Sequence, residues 1–201
     1  MQICFLNVKI FKKLVHLKQG FYQTPAGERI DIASQQKDAE TNTKLYSPNL
    51  SDELLEQRVA NPLSTATKFV VKHATTLDVV RQLIEEGNSN VACLNFASAK
   101  NSGGGFLGGS QAQEESIARS TGLHSCQMNA WEYYEVNRNT KSCIYTDYMI
   151  YSPKVPILKN EEGVNLSRLN LVSIITASAV NFGVVKNREA EKVPLVEGIM
   201  K

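Results

Sequence analysis

The chain has no CxxC pair, no Gly-Lys-Ser or Gly-Lys-Thr triplet, no long apolar run and no strong excess of either charge. Each absence removes a class of function. Cys4, Cys93, Cys126 and Cys143 are far apart, as are His16, His73 and His124, so neither a zinc knuckle nor a thioredoxin-type motif is present. With no export signal, the cysteines read most simply as reduced thiols of a cytoplasmic protein. No stretch approaches the roughly 18 apolar residues of a spanning helix, and lysines interrupt the N-terminal apolar run too often for a secretory segment. A net charge of +2 is too small to predict a nucleic-acid surface. The charge is uneven, however: Lys9, Lys12, Lys13 and Lys18 fall in the first 20 residues with no acid, so the other 181 sum to −2.

What is present suits one α/β domain: 201 residues, 42% of them apolar. Phe5, Leu6, Val8, Ile10, Phe11, Leu14, Val15 and Leu17 would make an apolar helical face beside those lysines, docked on the domain or lying on a membrane. Docking is the commoner use, and no membrane partner is expected. Residues 21 to 50 are polar and turn-rich and read as an irregular arm. Ser51 offers an N-cap for a short helix ending before Asn61-Pro62. The division expected is 1–60 as an N-terminal helical and irregular arm and 61–201 as the core, effectively one domain.

Phe69-Val70-Val71 reads as a strand. Thr75-x-x-Asp78 opens a helix running to Gly87 with Leu77, Val80, Leu83 and Ile84 inward, and Val91 to Phe96 suits a buried strand. Strand, helix, strand at this spacing implies a parallel, doubly covered sheet. A helix is expected from about Gln113, with further strands at Tyr148 to Tyr151, ending at Ser152-Pro153, and at Val172 to Thr176.

The informative segment is residues 93 to 123. Gly103, Gly104, Gly105, Gly108 and Gly109 fall within seven positions between a strand and a helix. Such a loop can reach positive φ and bring bare amides against an anion, and the following helix adds its own unpaired N–H groups. Composition alone also fits a flexible surface loop. Gly103-x-Gly105-x-x-Gly108 is literally GxGxxG, but six residues separate Phe96 from Gly103 and four separate Gly108 from Gln113, which is wrong for a dinucleotide fingerprint. Glu114 and Glu115 in the first turn could merely complement the helix dipole. Beside an anion site they would be chemical, with repulsion raising their pKa and the helix end lowering it. Adjacent helical residues diverge by about 100°, so this pair alone cannot flank a glycosidic bond from opposite sides.

Gly-Gly-Gly, seven residues, then Gln-Glu-Glu resembles the signature of the bacterial-type poly(ADP-ribose) glycohydrolases. The likeness runs from about Gly20 to Asn181 and includes Thr75 to Asp78, Asn95 to Ser98, Tyr148 to Pro153 and Thr176 to Asn181. The resemblance implies a macrodomain-like three-layer α/β fold with a mixed, mostly parallel sheet. It implies Glu115 as the catalytic acid and Glu114 as the holder of ribose hydroxyls. Gln113, Asn95, Asn101, Gly103, Gly104, Gly105 and Phe106 would line the substrate site, Phe106 either covering the sugar or anchoring the loop. Protonated Glu115 would act on a ribose–ribose bond of poly(ADP-ribose), with no cofactor and no metal.

ADP-ribose, its polymer and ADP-ribosylated proteins are the partners implied, and no nucleic acid is contacted directly. Relatives of this type continue after the Asn181 region with a further strand, a second glycine-rich loop and an aromatic that stacks on adenine, whereas here Gly183 and Gly198 are the only glycines before Lys201. An incomplete C-terminal side and weak turnover are therefore expected, with a natural truncation, a split gene, proteolysis and a second chain completing the fold as the open explanations. The alternatives are a module that binds ADP-ribose without cleaving it and an inactive fragment.

Overall fold

In a computed structural model of the chain, residues 15–60 and 66–199 are described. Most of the basic N-terminal segment, with Cys4, lies outside them; residues 15–19 are helical. The polar stretch that follows is not irregular. β1 (Phe21–Gln23) and β2 (Arg29–Asp31) form an antiparallel hairpin, α1 (Ala33–Thr41) follows, and β3 (Lys44–Tyr46) joins the main sheet. Three-residue strands carry too little periodicity to be read from sequence, yet Tyr22 and Ile32 are fully buried with Leu158 and hold the arm to the body. α2 (Pro48–Ala60) starts earlier than expected. Pro48 takes the first helical position, and Ser47, not Ser51, accepts from the Leu50 N–H at 3.4 Å.

The Thr75 cap is as expected. Its side chain accepts from Asp78 N–H and opens α3 (Thr76–Glu85), with Leu77 and Val80 buried in the core and Leu83 and Ile84 packed against it. Phe69 to Val71 is not a strand. Phe69 and Val71 are 88% and 98% exposed, having no neighbouring strand to pair with. β4 (Ala92–Ala97), α4 (Gln113–Ser120), α5 (Leu123–Met128), α6 (Glu132–Asn139), β5 (Met149–Lys159), β6 (Asn165–Ser178), α7 (Phe182–Arg188) and α8 (Val193–Ile199) complete the described chain. β5 runs through Ser152-Pro153 instead of ending there. A bulge between Ser152 and Val155, with Lys154 at φ 48°, lets the proline sit without breaking the ladder.

The sheet order is β3-β5-β6-β4. It is mixed, but not mostly parallel: β4 lies parallel to β6, while β3–β5 and β5–β6 are antiparallel. The parallel pair expected between Phe69–Val71 and β4 is replaced by β4 and β6, whose crossover takes in the glycine loop and three helices. One face of the sheet packs on α3, α4 and α5 through Val91, Ile117, Leu123, Val155, Ile157, Val172 and Ile174. β4 buries only that face, since Leu94 and Phe96 on the other are exposed.

Candidate active site

The site grows from the carboxyl ends of the parallel pair, where α/β sheets usually hold ligands. Asn95 of β4 and Thr176 of β6 are register partners, both fully buried, and Asn95 Nδ2 donates to Thr176 Oγ1 at 3.3 Å. The carbonyls of Val91 and Ala97 accept from Ser173 and Ala179, so the odd-numbered peptide groups of β4 face β6. By the alternation of a strand, Leu94, Phe96 and Ser98 present theirs to the open edge.

The first turn of α4 fills that edge. Gln113 Nε2 donates to the Leu94 carbonyl at 2.8 Å and to Thr76 Oγ1 at 3.1 Å, while its Oε1 accepts from Phe96 N–H at 2.8 Å. Glu114 Oε2 accepts from Ser98 N–H at 2.7 Å. Two side chains thus act as a substitute strand, which fixes the helix start, and both carboxylates behind it, against the end of β4.

The glycine loop closes over those carboxylates. Gly103 and Gly104 have φ of 69° and 59°. Gly105 N–H donates to Glu115 Oε1 at 2.8 Å, Gly103 N–H acts on Glu114, and Gly104 N–H donates to the Asn101 carbonyl at 2.9 Å. Further amides of the loop, those of Phe106, Gly108, Gly109 and Ser110, bond to loop carbonyls. The triple glycine is therefore turned inward and holds the glutamates themselves. A methyl group at Gly104 would lie 2.5 Å from Glu115 Oε1 and 2.8 Å from Glu114 Oε2. That position tolerates only glycine, and it shows that two side chains diverging at their Cα atoms converge at their carboxyl ends.

Glu114 and Glu115 are 4% and 8% exposed. Burial pushes Glu114 up to about 7; the charge of Glu115 adds to this, and the hydrogen bonds from Ser98, Asn95 and Gly103 work against it. Arg119, one turn beyond Glu115, feels the charge of that carboxylate and donates to the Ser110 carbonyl, tying the far end of the loop to α4. Three buried acceptor oxygens in this cluster have no partner: Asn95 Oδ1, Glu114 Oε1 and Glu115 Oε2. An unmet buried acceptor is costly, so a cluster with three of them is complementary to a ligand rich in hydroxyl donors. Among the described residues no cluster of His, Cys, Asp and Glu could hold a metal ion.

Comparison with known proteins identifies the family. The microbial-type PARG catalytic domain matches residues 12–160. The chain belongs to the microbial-type PARG family. A poly(ADP-ribose) glycohydrolase from Thermomonospora curvata, solved with the inhibitor ADP-HPD, is 33% identical with a TM-score of 0.84, over 94% of this chain and 68% of that one. A Deinococcus radiodurans poly(ADP-ribose) glycohydrolase, solved with ADP-ribose, is 42% identical with a TM-score of 0.74, over 79% of this chain and 64% of that one. This PARG-family chain thus spans about two thirds of the length of these relatives. No curated protein matches it.

Within that PARG-family frame, Glu114, Glu115, Asn95, Gly103, Gly104 and Gly105 come together, and Asn101 stands exposed at the loop mouth. Gln113, expected to line the substrate site, has both ends of its amide engaged by β4 and α3. Phe106, for which covering the sugar and anchoring the loop were both open, is 1% exposed and packs on Ala118 and 5.0 Å from the His124 ring, the placement of a loop anchor. Sequence reasoning missed Ser98, Gln127 and the Tyr133–Tyr134 pair, whose pKa values are raised by burial while Ser178 beside Tyr133 and Ser102 beside Tyr134 work against it. No spacing rule ties these residues to the loop.

Proposed function

We propose that this protein hydrolyses the ribose–ribose O-glycosidic bond of poly(ADP-ribose) and releases ADP-ribose, with Glu115 as the catalytic residue. The observation that carries the reading is the trio of unpartnered buried acceptors, Asn95 Oδ1, Glu114 Oε1 and Glu115 Oε2. Glu114 Oε1 and Asn95 Oδ1 take hydroxyl donors of the ribose and hold the sugar. Glu115 Oε1 is kept by Gly105, which leaves Oε2 to carry the proton.

As the bond from the anomeric carbon to the 2′-oxygen breaks, that proton passes to the departing oxygen and the electron pair leaves with it. The sugar becomes an oxocarbenium ion. The Glu115 carboxylate then takes a proton from the water that adds to the cation, which restores the acid. The amides of the triple glycine contribute by holding the two carboxylates, and diphosphate recognition falls to other parts of the cleft. Asn101, exposed at the loop mouth, is placed to meet the substrate on its way in.

In this reading the fold is macrodomain-like and one domain, since Ala39 of α1 and strand β3 belong to the main core and sheet, and the protein acts on polymer or ADP-ribosylated proteins in the cytoplasm with Cys93, Cys126 and Cys143 reduced, in keeping with their free thiols. Exposed Leu94 and Phe96 mark the face on which further polypeptide, of the same or a second chain, would pack. The same unpartnered acceptors would also serve a second reading, an ADP-ribose binder that does not turn over. Incubation with labelled polymer separates the two: free ADP-ribose, lost in Glu115→Gln, supports hydrolysis; retention without release supports the binder; polymer neither cleaved nor retained overturns both.

A further inference from the structure

We infer that Gln127 is a positioning residue that couples the glycine loop to the sugar-facing amide of Asn95. It rests on the reading of the cleft as a ribose site, and on a buried polar chain crossing four elements of the fold. Ser102, immediately before the triple glycine, donates its hydroxyl to Gln127 Oε1 at 2.9 Å. Gln127 Nε2, on α5, donates to Thr176 Oγ1 of β6 at 3.5 Å. Asn95 Nδ2, on β4, donates to the same oxygen at 3.3 Å. Gln127, Thr176 and Asn95 are all fully buried.

Buried amides in a core are destabilising unless paired, and a packed apolar residue would serve α5 better if stability alone were at stake. What the chain does is set an orientation. Held between Thr176 Oγ1 and the Glu114 carboxylate, Asn95 keeps its Nδ2 engaged and its Oδ1 open, and that oxygen is one of the three unpartnered acceptors of the cluster. The other end of the same residue anchors Ser102, where the backbone enters the positive-φ turn that brings the Gly103 and Gly105 amides to the glutamates. Loss of Gln127 therefore removes the second donor that fixes the Thr176 hydroxyl, so the group holding Asn95 can turn, and it lets the loop entrance drift, although Gln127 itself touches no substrate.

The test uses the full chain and the variants Gln127→Leu, Asn95→Ala and the double variant. In the ligand-free protein, Gln127→Leu is expected to shift the Asn95 side-chain amide resonances and to speed hydrogen exchange at Gly103 and Gly105, while exchange in β5 stays as in the parent. ADP-ribose affinity measured by calorimetry is expected to fall about tenfold, the cost of one misdirected buried hydrogen bond, and Gln127→Leu is expected to add little once Asn95 is already alanine. Unchanged Asn95 resonances and loop exchange in Gln127→Leu overturn the coupling whether or not the parent binds ADP-ribose. Fully additive losses in the double variant overturn it too, since a role in packing alone would add. A parent that binds no ADP-ribose, with the resonances shifting as expected, sinks the ribose reading but leaves the coupling in place.

Discussion

Replacing Glu114 with glutamine removes a titration that the fold works against. Burial raises this carboxyl from 4.5 to about 7. In the unfolded chain it loses its proton near 4.5, while in the folded chain it keeps it until about 7. Between those values the folded state binds more protons, so stability falls as pH rises. The contribution is whole below about 4.5 and gone above about 7. Two and a half units at about 1.4 kcal/mol each come to about 3 kcal/mol. Glutamine is close to the protonated acid in shape and does not titrate. Urea unfolding from pH 5 to pH 8 is expected to show parent and Glu114→Gln nearly equal at the acid end, with the variant about 3 kcal/mol more stable at the alkaline end. ADP-ribose binding by the same variant is expected to weaken, because in the proposed function Glu114 is the carboxylate that accepts from sugar hydroxyls. Parallel stability curves would refute the claim that Glu114 is buried without enough donors.

Two further substitutions probe the frame around the carboxylates. Gly104→Ala would force a methyl group onto both glutamate oxygens at a φ of 59°, so a loss of about 1–3 kcal/mol in denaturant unfolding and loss of ADP-ribose binding are expected; an unchanged protein would show that the loop does not close as described. Gln113→Leu would strip partners from Leu94, Phe96 and Thr76 at once, and a loss of about 2 kcal/mol or more is expected, with hydrogen exchange at Phe96 speeding markedly; an unmoved Phe96 amide would show that the edge is satisfied in another way.

The cap at Thr75, the inner face of α3, the β4 segment and the helix beginning at Gln113 were all legible from residue order, since each rests on contacts between near neighbours: a hydroxyl three residues from an amide, or apolar positions recurring with the helical turn. The Gly-Gly-Gly and Gln-Glu-Glu signature likewise located the carboxylates and the family. What the order of residues could not decide was pairing at a distance. Phe69 to Val71 is as apolar as a strand but finds no neighbour, and β4 lies against β6, about 80 residues away, instead.

The direction of the glycine amides was equally a tertiary matter. The same loop could have faced outward to an anion, and it faces inward because α4 delivers two carboxylates within reach. Gln127 shows the same limit. A glutamine on a short helix carries no signal in sequence, and only the meeting of Ser102, Thr176 and Asn95 around it gives its amide something to orient. Local chemistry thus located the paired carboxylates, while the long-range packing decided which way the groups around them point.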